Sequence, residues 1–147
     1  YIGGDIVKDL VNSNNQRYSD NNIHFIHLDL TEGPLPTADL MLCRDCLFHL
    51  SFDDIKSTFE VFLSSSVNYF LTTSSAPPSG QRLTNSNIVT GDMRKLDLFA
   101  SPFDLSLSDV LEVFEDSMVS SSTKRWMILL QKPAVQKMLE ALKRSEF

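Results

Sequence analysis

The chain is poor in the features that mark several protein classes. Its 147 residues hold two cysteines, too few for a disulfide framework, and three histidines without finger-like spacing, so a structural zinc site lacks its four ligands. No metal is expected. Glycine is scarce at five residues, and Gly3-Gly4 lies inside an apolar stretch rather than in a Gly-x-Gly phosphate loop. No apolar run approaches the roughly 18 residues that a membrane helix needs, and no charged-then-apolar leader opens the chain. Basic residues are in deficit: 13 Lys and Arg against 19 Asp and Glu give a net charge of −6, which opposes binding to a phosphate backbone. A local basic cluster at Lys124, Arg125, Lys143 and Arg144 runs against that trend. The expectation is a cytoplasmic protein with neither membrane nor nucleic acid as its partner, and with its oligomeric state open.

A hydrophobic content of 42% is enough for one core, so residues 1–147 read as a single domain. A strand at 1–5 leads into Ile6, Val7, Leu10 and Val11 at helical spacing, followed by a polar, turn-rich stretch over 12–22. A strand is expected at 23–28, a turn with Gly33, Pro34 and Pro36 follows, and a continuous apolar strand runs over 38–43, as buried parallel strands do. Ser51 with Asp53 and Asp54 forms a capping signal for a helix whose Phe52, Ile55, Phe59, Phe62 and Leu63 line one side. A strand at 67–72 precedes a long loop over 73–91. Strands at 107–114 and 125–131, separated by a serine-rich turn at 117–123, suggest a hairpin. Pro133 opens a last helix with Val135, Met138, Leu139 and Leu142 as its apolar stripe.

Three apolar segments run into acids: Tyr1-Ile-Gly-Gly-Asp5, His24-Phe-Ile-His-Leu-Asp29, and Ala38-Asp-Leu-Met-Leu-Cys43 followed by Arg44-Asp45. In an open parallel α/β sheet all strand C-termini point to one edge, so such carboxylates converge on the crevice where ligands bind, and an acid ending a strand there commonly accepts from ribose hydroxyls. Position alone leaves Asp5 equally readable as an N-cap, and Asp29 as an Asx turn. Cys43 and Cys46 make a Cys-x-x-Cys pair, the spacing of redox pairs and of half zinc sites. The plainer reading is that Cys43, ending an apolar run, is a small buried residue.

The segments Tyr1-Ile-Gly-Gly-Asp-Ile6, His27-Leu-Asp-Leu30, Asp39-Leu-Met-Leu-Cys-Arg-Asp-Cys-Leu-Phe-His-Leu50 and Asn87-Ile-Val-Thr-Gly-Asp-Met-Arg94 resemble successive motifs of class I S-adenosylmethionine-dependent methyltransferases. Asp97-Leu98, Pro102-Phe103 and the strand Lys124 to Leu130 continue the resemblance. It implies a Rossmann-like, mostly parallel sheet with helices on both faces and a C-terminal antiparallel hairpin. S-adenosyl-L-methionine is the implied cofactor, with Asp5 on its ribose, Ile6 against the adenine, Asp29 and Leu30 at the adenine edge, and Arg44 beside it. Asp45 or His49 is the candidate for orienting or deprotonating an acceptor, and Asn87 and Arg94 for binding it. The resemblance begins at the family's second strand. The first strand and its glycine-rich loop have no counterpart, and that strand belongs between those ending at Asp5 and Cys43. An N-terminally truncated enzyme is therefore expected, transferring a methyl group to an unassigned small-molecule or protein acceptor. The alternative is a non-catalytic methyltransferase-like binding or scaffold module. A dehydrogenase-type nucleotide enzyme is a third reading, against which the late hairpin speaks.

Overall fold

The computed structural model describes residues 1–76, 79–116 and 125–145. Phe70, wholly buried on a central strand, meets Phe59 and Phe62 of the neighbouring helix, with ring centroids 6.1 and 5.1 Å apart. That helix, α2 (Phe52–Ser64), starts where the sequence predicts: Ser51 accepts from the Asp54 amide at 3.1 Å, and Asp53 and Asp54 lie in the first turn. Phe52, Ile55, Phe59 and Phe62 are its buried face. The carbonyls of Leu63 and Ser65, at and just past its far end, accept from Lys132, whose ammonium supplies the donors that the last turn lacks. Lys132 opens α3 (Lys132–Arg144), which buries Val135, Met138, Leu139 and Leu142 together with Ala134 and Ala141. The expected stripe is the observed one, and α3 packs on α2.

These helices cover a four-stranded sheet ordered β3 (Leu40–Cys43), β4 (Tyr69–Ser74), β6 (Trp126–Gln131), β5 (Val110–Glu115). β3 and β4 run parallel, while β6 is antiparallel to both β4 and β5, giving the expected late hairpin. The turn placed at 117–123, like Pro77-Pro78, lies outside the described residues. The strand expected at 107–114 begins instead with a single 3₁₀ turn over Leu107–Asp109, closed by Ser106 accepting from the Ser108 amide at 3.4 Å.

A separate parallel pair, β1 (Ile2–Asp5) and β2 (His24–His27), is registered Asp5 opposite His27. Between them α1 (Lys8–Tyr18) continues through the polar stretch that the sequence reads as loop. The cause is tertiary: Asn15 donates to the Phe25 carbonyl at 2.7 Å and accepts the Phe25 amide at 2.9 Å, clamping the helix to β2. Among the described residues no strand joins β1 to β3. The apolar run on β3 is not buried throughout as expected: Leu40 and Leu42, alternate residues on one face, are 44% and 54% exposed, whereas Cys43 on the other face is buried.

Residues 79–106 belong to the long loop, which is tied down from inside. Asp97, with 0% exposure, accepts from the Leu83 and Phe99 amides at 3.0 and 2.9 Å and pairs with Arg82. Its own amide donates to Asn85, whose side chain donates in turn to the Asp97 and Ser101 carbonyls, both at 2.8 Å.

Phe70→Ala is expected to cost about 3–5 kcal/mol in denaturant unfolding. Asp97→Ala, which strands two backbone donors, is expected to cost about 3 kcal/mol and to open the loop to limited proteolysis. Ser51→Ala, a cap loss alone, should cost only about 1 kcal/mol.

Candidate functional site

The C-terminal ends of β1, β2 and β3 carry the predicted acids. Asp5 closes β1, and its Oδ1 accepts the Val7 amide at 2.8 Å, a tight turn that starts α1. Val7 itself is the N-cap residue of α1 and offers no side-chain bond, so Asp5 supplies the turn's only polar side chain. Ile6, next to it, is 60% exposed. Asp29 follows β2, its Oδ1 accepting both the Thr31 amide at 2.8 Å and the Thr31 hydroxyl at 2.7 Å. Those bonds, the backbone one foremost, lower the Asp29 pKa below the usual carboxylate value. Leu30 turns the other way and packs against the core.

The third strand end is more heavily tied. Arg44 pairs with Asp116 at 2.8 Å and Asp45 pairs with Arg125, so both candidates at this turn are bound to the ends of the hairpin rather than to each other. Asp45 adopts a left-handed backbone (φ 55°), and its amide donates to Thr73 Oγ1 at 3.0 Å. His49, in the short 3₁₀ turn Leu47–His49, places Nδ1 2.9 Å from the Asp92 carbonyl. A carbonyl only accepts, so in the neutral ring Nδ1 carries the proton and Nε2 keeps a lone pair.

The loop candidates divide. Asn87 Oδ1 accepts the amides of Phe52 and Ile88 at 2.8 and 3.0 Å, which commits that oxygen to the start of α2. Arg94 is only 9% exposed; its Nη1 donates to the Leu50 carbonyl at 2.7 Å and its guanidinium lies 4.8 Å above the Phe52 ring. Its Nε and Nη2, the side-on edge of the fork, meet no acceptor, and burial lowers its pKa. The structure thus brings Arg44, Asp45 and His49 together at one turn and Asp5 and Asp29 at the neighbouring strand ends, with Arg94 and Asn87 behind α2's first turn. A hollow of about 370 Å³ bounded by Leu83, Asn85, Ala100 and Pro102 contains none of these residues.

Sequence reasoning missed the partners: Thr31, Asp116 and Arg125 as holders of predicted groups, and Asp97 as the loop's anchor. For Asp97 no local signal exists, because a Leu-Asp-Leu alternation ordinarily turns the acid to water. For Asp116 and Arg125 there is none either, because their partners lie far away in sequence, whereas Thr31, two residues from Asp29, is the partner that an Asx turn implies.

As a test of fit, the adenosine half of S-adenosylmethionine finds acceptors here: Asp5 and Asp29 each commit Oδ1 to their own turn, and beside Asp5 lies the exposed apolar Ile6. Among the described residues no glycine-rich turn faces the methionine half.

No family model matches the sequence, and no curated protein is similar to it. Solved structures do match in shape. Human N-acetylserotonin methyltransferase in complex with SAM is 16% identical over 88% of this chain and 39% of its own, with a TM-score of 0.57. Magnesium protoporphyrin IX methyltransferase from Synechocystis PCC 6803 with bound SAH is 12% identical over 88% of this chain and 62% of its own, with a TM-score of 0.60. A LepI structure in complex with SAH and a substrate analogue aligns at 8% identity over 88% of this chain and 36% of its own, with a TM-score of 0.56. The chain spans less than two thirds of the length of each. Among the described residues no helix is long and apolar enough to cross a membrane. The strand order, the late hairpin and these neighbours together give the chain the fold of class I SAM-dependent methyltransferases.

Proposed function

We propose that this chain serves S-adenosylmethionine-dependent methyl transfer to a small-molecule or protein acceptor in the cytoplasm. The observation that carries the reading is the placement of Asp5 and Asp29 at and just past the C-terminal ends of two hydrogen-bonded parallel strands. Asp5 Oδ2 would accept from the ribose, and Ile6 would cover the adenine face. Asp29, kept ionised by Thr31, accepts from the adenine amino group, with the Leu30 amide beside the ring. The cofactor, when bound, supplies an electrophilic methyl group.

The chain's own residues then act on the acceptor. His49, with its proton fixed on Nδ1, takes the acceptor's proton at Nε2. Asp45, oriented by Arg125, and Arg44, held by Asp116, shape the edge where the nucleophile lies. Arg94 stands behind this edge as the candidate for holding the acceptor, with Nε and Nη2 enclosed and without an acceptor of their own. Asn87 holds that segment in place. Alignment of the nucleophile is the larger share of catalysis in an in-line displacement.

A non-catalytic scaffold is the second reading, favoured by the exposed Leu40 and Leu42 along β3. Titration calorimetry separates the two. The chain, and a version extended at its N-terminus by a strand, glycine loop and helix, are each titrated with S-adenosylhomocysteine. Binding by the extended form, weakened about 10–100-fold by Asp5→Ala through loss of charged hydrogen bonds, is the expected result. Absence of binding by both forms would leave the scaffold reading. In the extended form, His49→Gln should lower kcat by roughly 10²-fold or more, with little change in the calorimetric affinity for S-adenosylhomocysteine.

Asp29 also predicts a pH effect. Its folded pKa is depressed, so its stabilising contribution is complete above the ordinary carboxylate pKa and is lost as pH falls through the lower folded value. Thr31→Val should raise the Asp29 midpoint, read by carboxyl-carbon NMR, and reduce the loss of stability on acidification. An unchanged midpoint would count against the hydroxyl's share of the shift, since the backbone amide of residue 31, the larger cause, is kept in this variant.

A further inference from the structure

Cys43 and Cys46 take no part in the proposed chemistry, yet the turn between them is closely specified. Cys43 is the last residue of β3 and only 3% exposed; Cys46 is partly buried against the same core. Arg44 and Asp45 form the turn's tip, and Asp45 takes the left-handed conformation at the third position. A turn of this kind holds its first and fourth Cα atoms within about 7 Å. That spacing meets the roughly 4.4–6.8 Å window across which a disulfide closes.

Both flanks are fixed. Thr72 Oγ1 donates to the Cys43 carbonyl at 3.0 Å, the Asp45 amide donates to Thr73 Oγ1 at 3.0 Å, and the His49 amide donates to the Cys46 carbonyl at 2.9 Å. The ion pairs of Arg44 and Asp45 anchor the tip from outside. Each thiol has the other as its nearest titratable neighbour across the turn. The neighbouring Cys46 thiol, with burial, pushes the Cys43 thiol well up, while Cys43 lowers Cys46 against burial and the nearby Asp5 charge. The pair is therefore asymmetric, with the more accessible sulfur also the readier thiolate.

We propose that Cys43 and Cys46 form a reversible dithiol–disulfide couple at the C-terminal edge of the sheet. It stands on the geometry of the turn and does not depend on methyl transfer. The oxidant is a low-molecular-weight disulfide of the glutathione type. The Cys46 thiolate attacks one of its sulfurs and expels the first small thiolate. Cys43 then gives up its proton, and its sulfur attacks Cys46 Sγ and expels the second. In sum two protein thiols lose two electrons and two protons, one S–S bond forms in the protein, and one small disulfide becomes two thiols. Cys43, enclosed, meets no external disulfide and acts only on Cys46.

The test equilibrates the chain with a graded series of reduced and oxidised glutathione, quenches it with an alkylating agent, and reads intact mass. Wild type is expected to pass from two alkylated cysteines to none without a lasting adduct, and to return on reduction. Cys43→Ser should stop as a single glutathione adduct at Cys46, and Cys46→Ser should react about tenfold more slowly or worse. Cys43→Ala replaces Cys43→Ser if circular dichroism finds the serine variant unfolded. Wild type that keeps both thiols alkylatable across the series, or that accumulates the mixed adduct, would overturn the proposal.

Discussion

Burial of Phe70 between Phe59 and Phe62 is the contact on which the rest of the chain depends. It fixes α2 against β4, and β4 is the strand from which both neighbours take their register: β3 in parallel on one side and β6 antiparallel on the other. The direction of β3 then decides where the Cys43 to His49 turn emerges, and β6 brings Arg125 to the same edge. The ion pairs at Arg44 and Asp45 follow from that convergence rather than causing it. Partly exposed pairs of this kind contribute on the order of 1 kcal/mol or less, whereas the aromatic cluster contributes several.

The β1–β2 unit reaches the same core by a different route. Leu30 and Leu35, on the segment after β2, pack against the main cluster, and Gly33 between them sits at φ 65° where a Cβ would stand 2.8 Å from Val61. A side chain at that position is opposed twice, by backbone conformation and by α2. The segment can therefore lie close along α2, which brings the C-terminal ends of β1 and β3 to the same edge without any hydrogen bond between the strands. The charge of Asp5 is felt at Cys46, a measure of how near the two edges come.

Legibility in the sequence followed the range of the interaction. The α2 cap, its aromatic face and the α3 stripe are written within one or two helical turns, and they appear where the spacing places them. Helix α1 was read too short because Asn15, polar and a weak helix former, is held by Phe25 from the next strand, a contact that local propensity does not contain. The exposure of Leu40 and Leu42 has the converse reason: a continuous apolar run is buried only when both faces of the sheet are covered. For the candidate site the same rule holds. Acids at strand ends were legible from the alternation of apolar runs and carboxylates, but which atoms remain free depended on Thr31, Asp116 and Arg125. Two of these lie beyond the sheet's far hairpin.

That division of free and committed atoms bears directly on function. At Asp5 and Asp29 one oxygen is spent locally and the second is left, which suits a role of accepting hydrogen bonds without the group having to move. His49 follows the same logic, because the Asp92 carbonyl fixes one nitrogen as donor and thereby fixes the other as acceptor. Arg94 carries it furthest. Its end nitrogen is held by Leu50 and its plane by Phe52, so the remaining edge is rigid, buried and cationic. A guanidinium so placed costs several kcal/mol of lost hydration unless an anion meets it, whereas a solvated arginine gains little from the same anion. Because that edge is also enclosed, the cost is one that folding imposes on Arg94 itself, and the Leu50 carbonyl and the Phe52 ring are the groups that offset it.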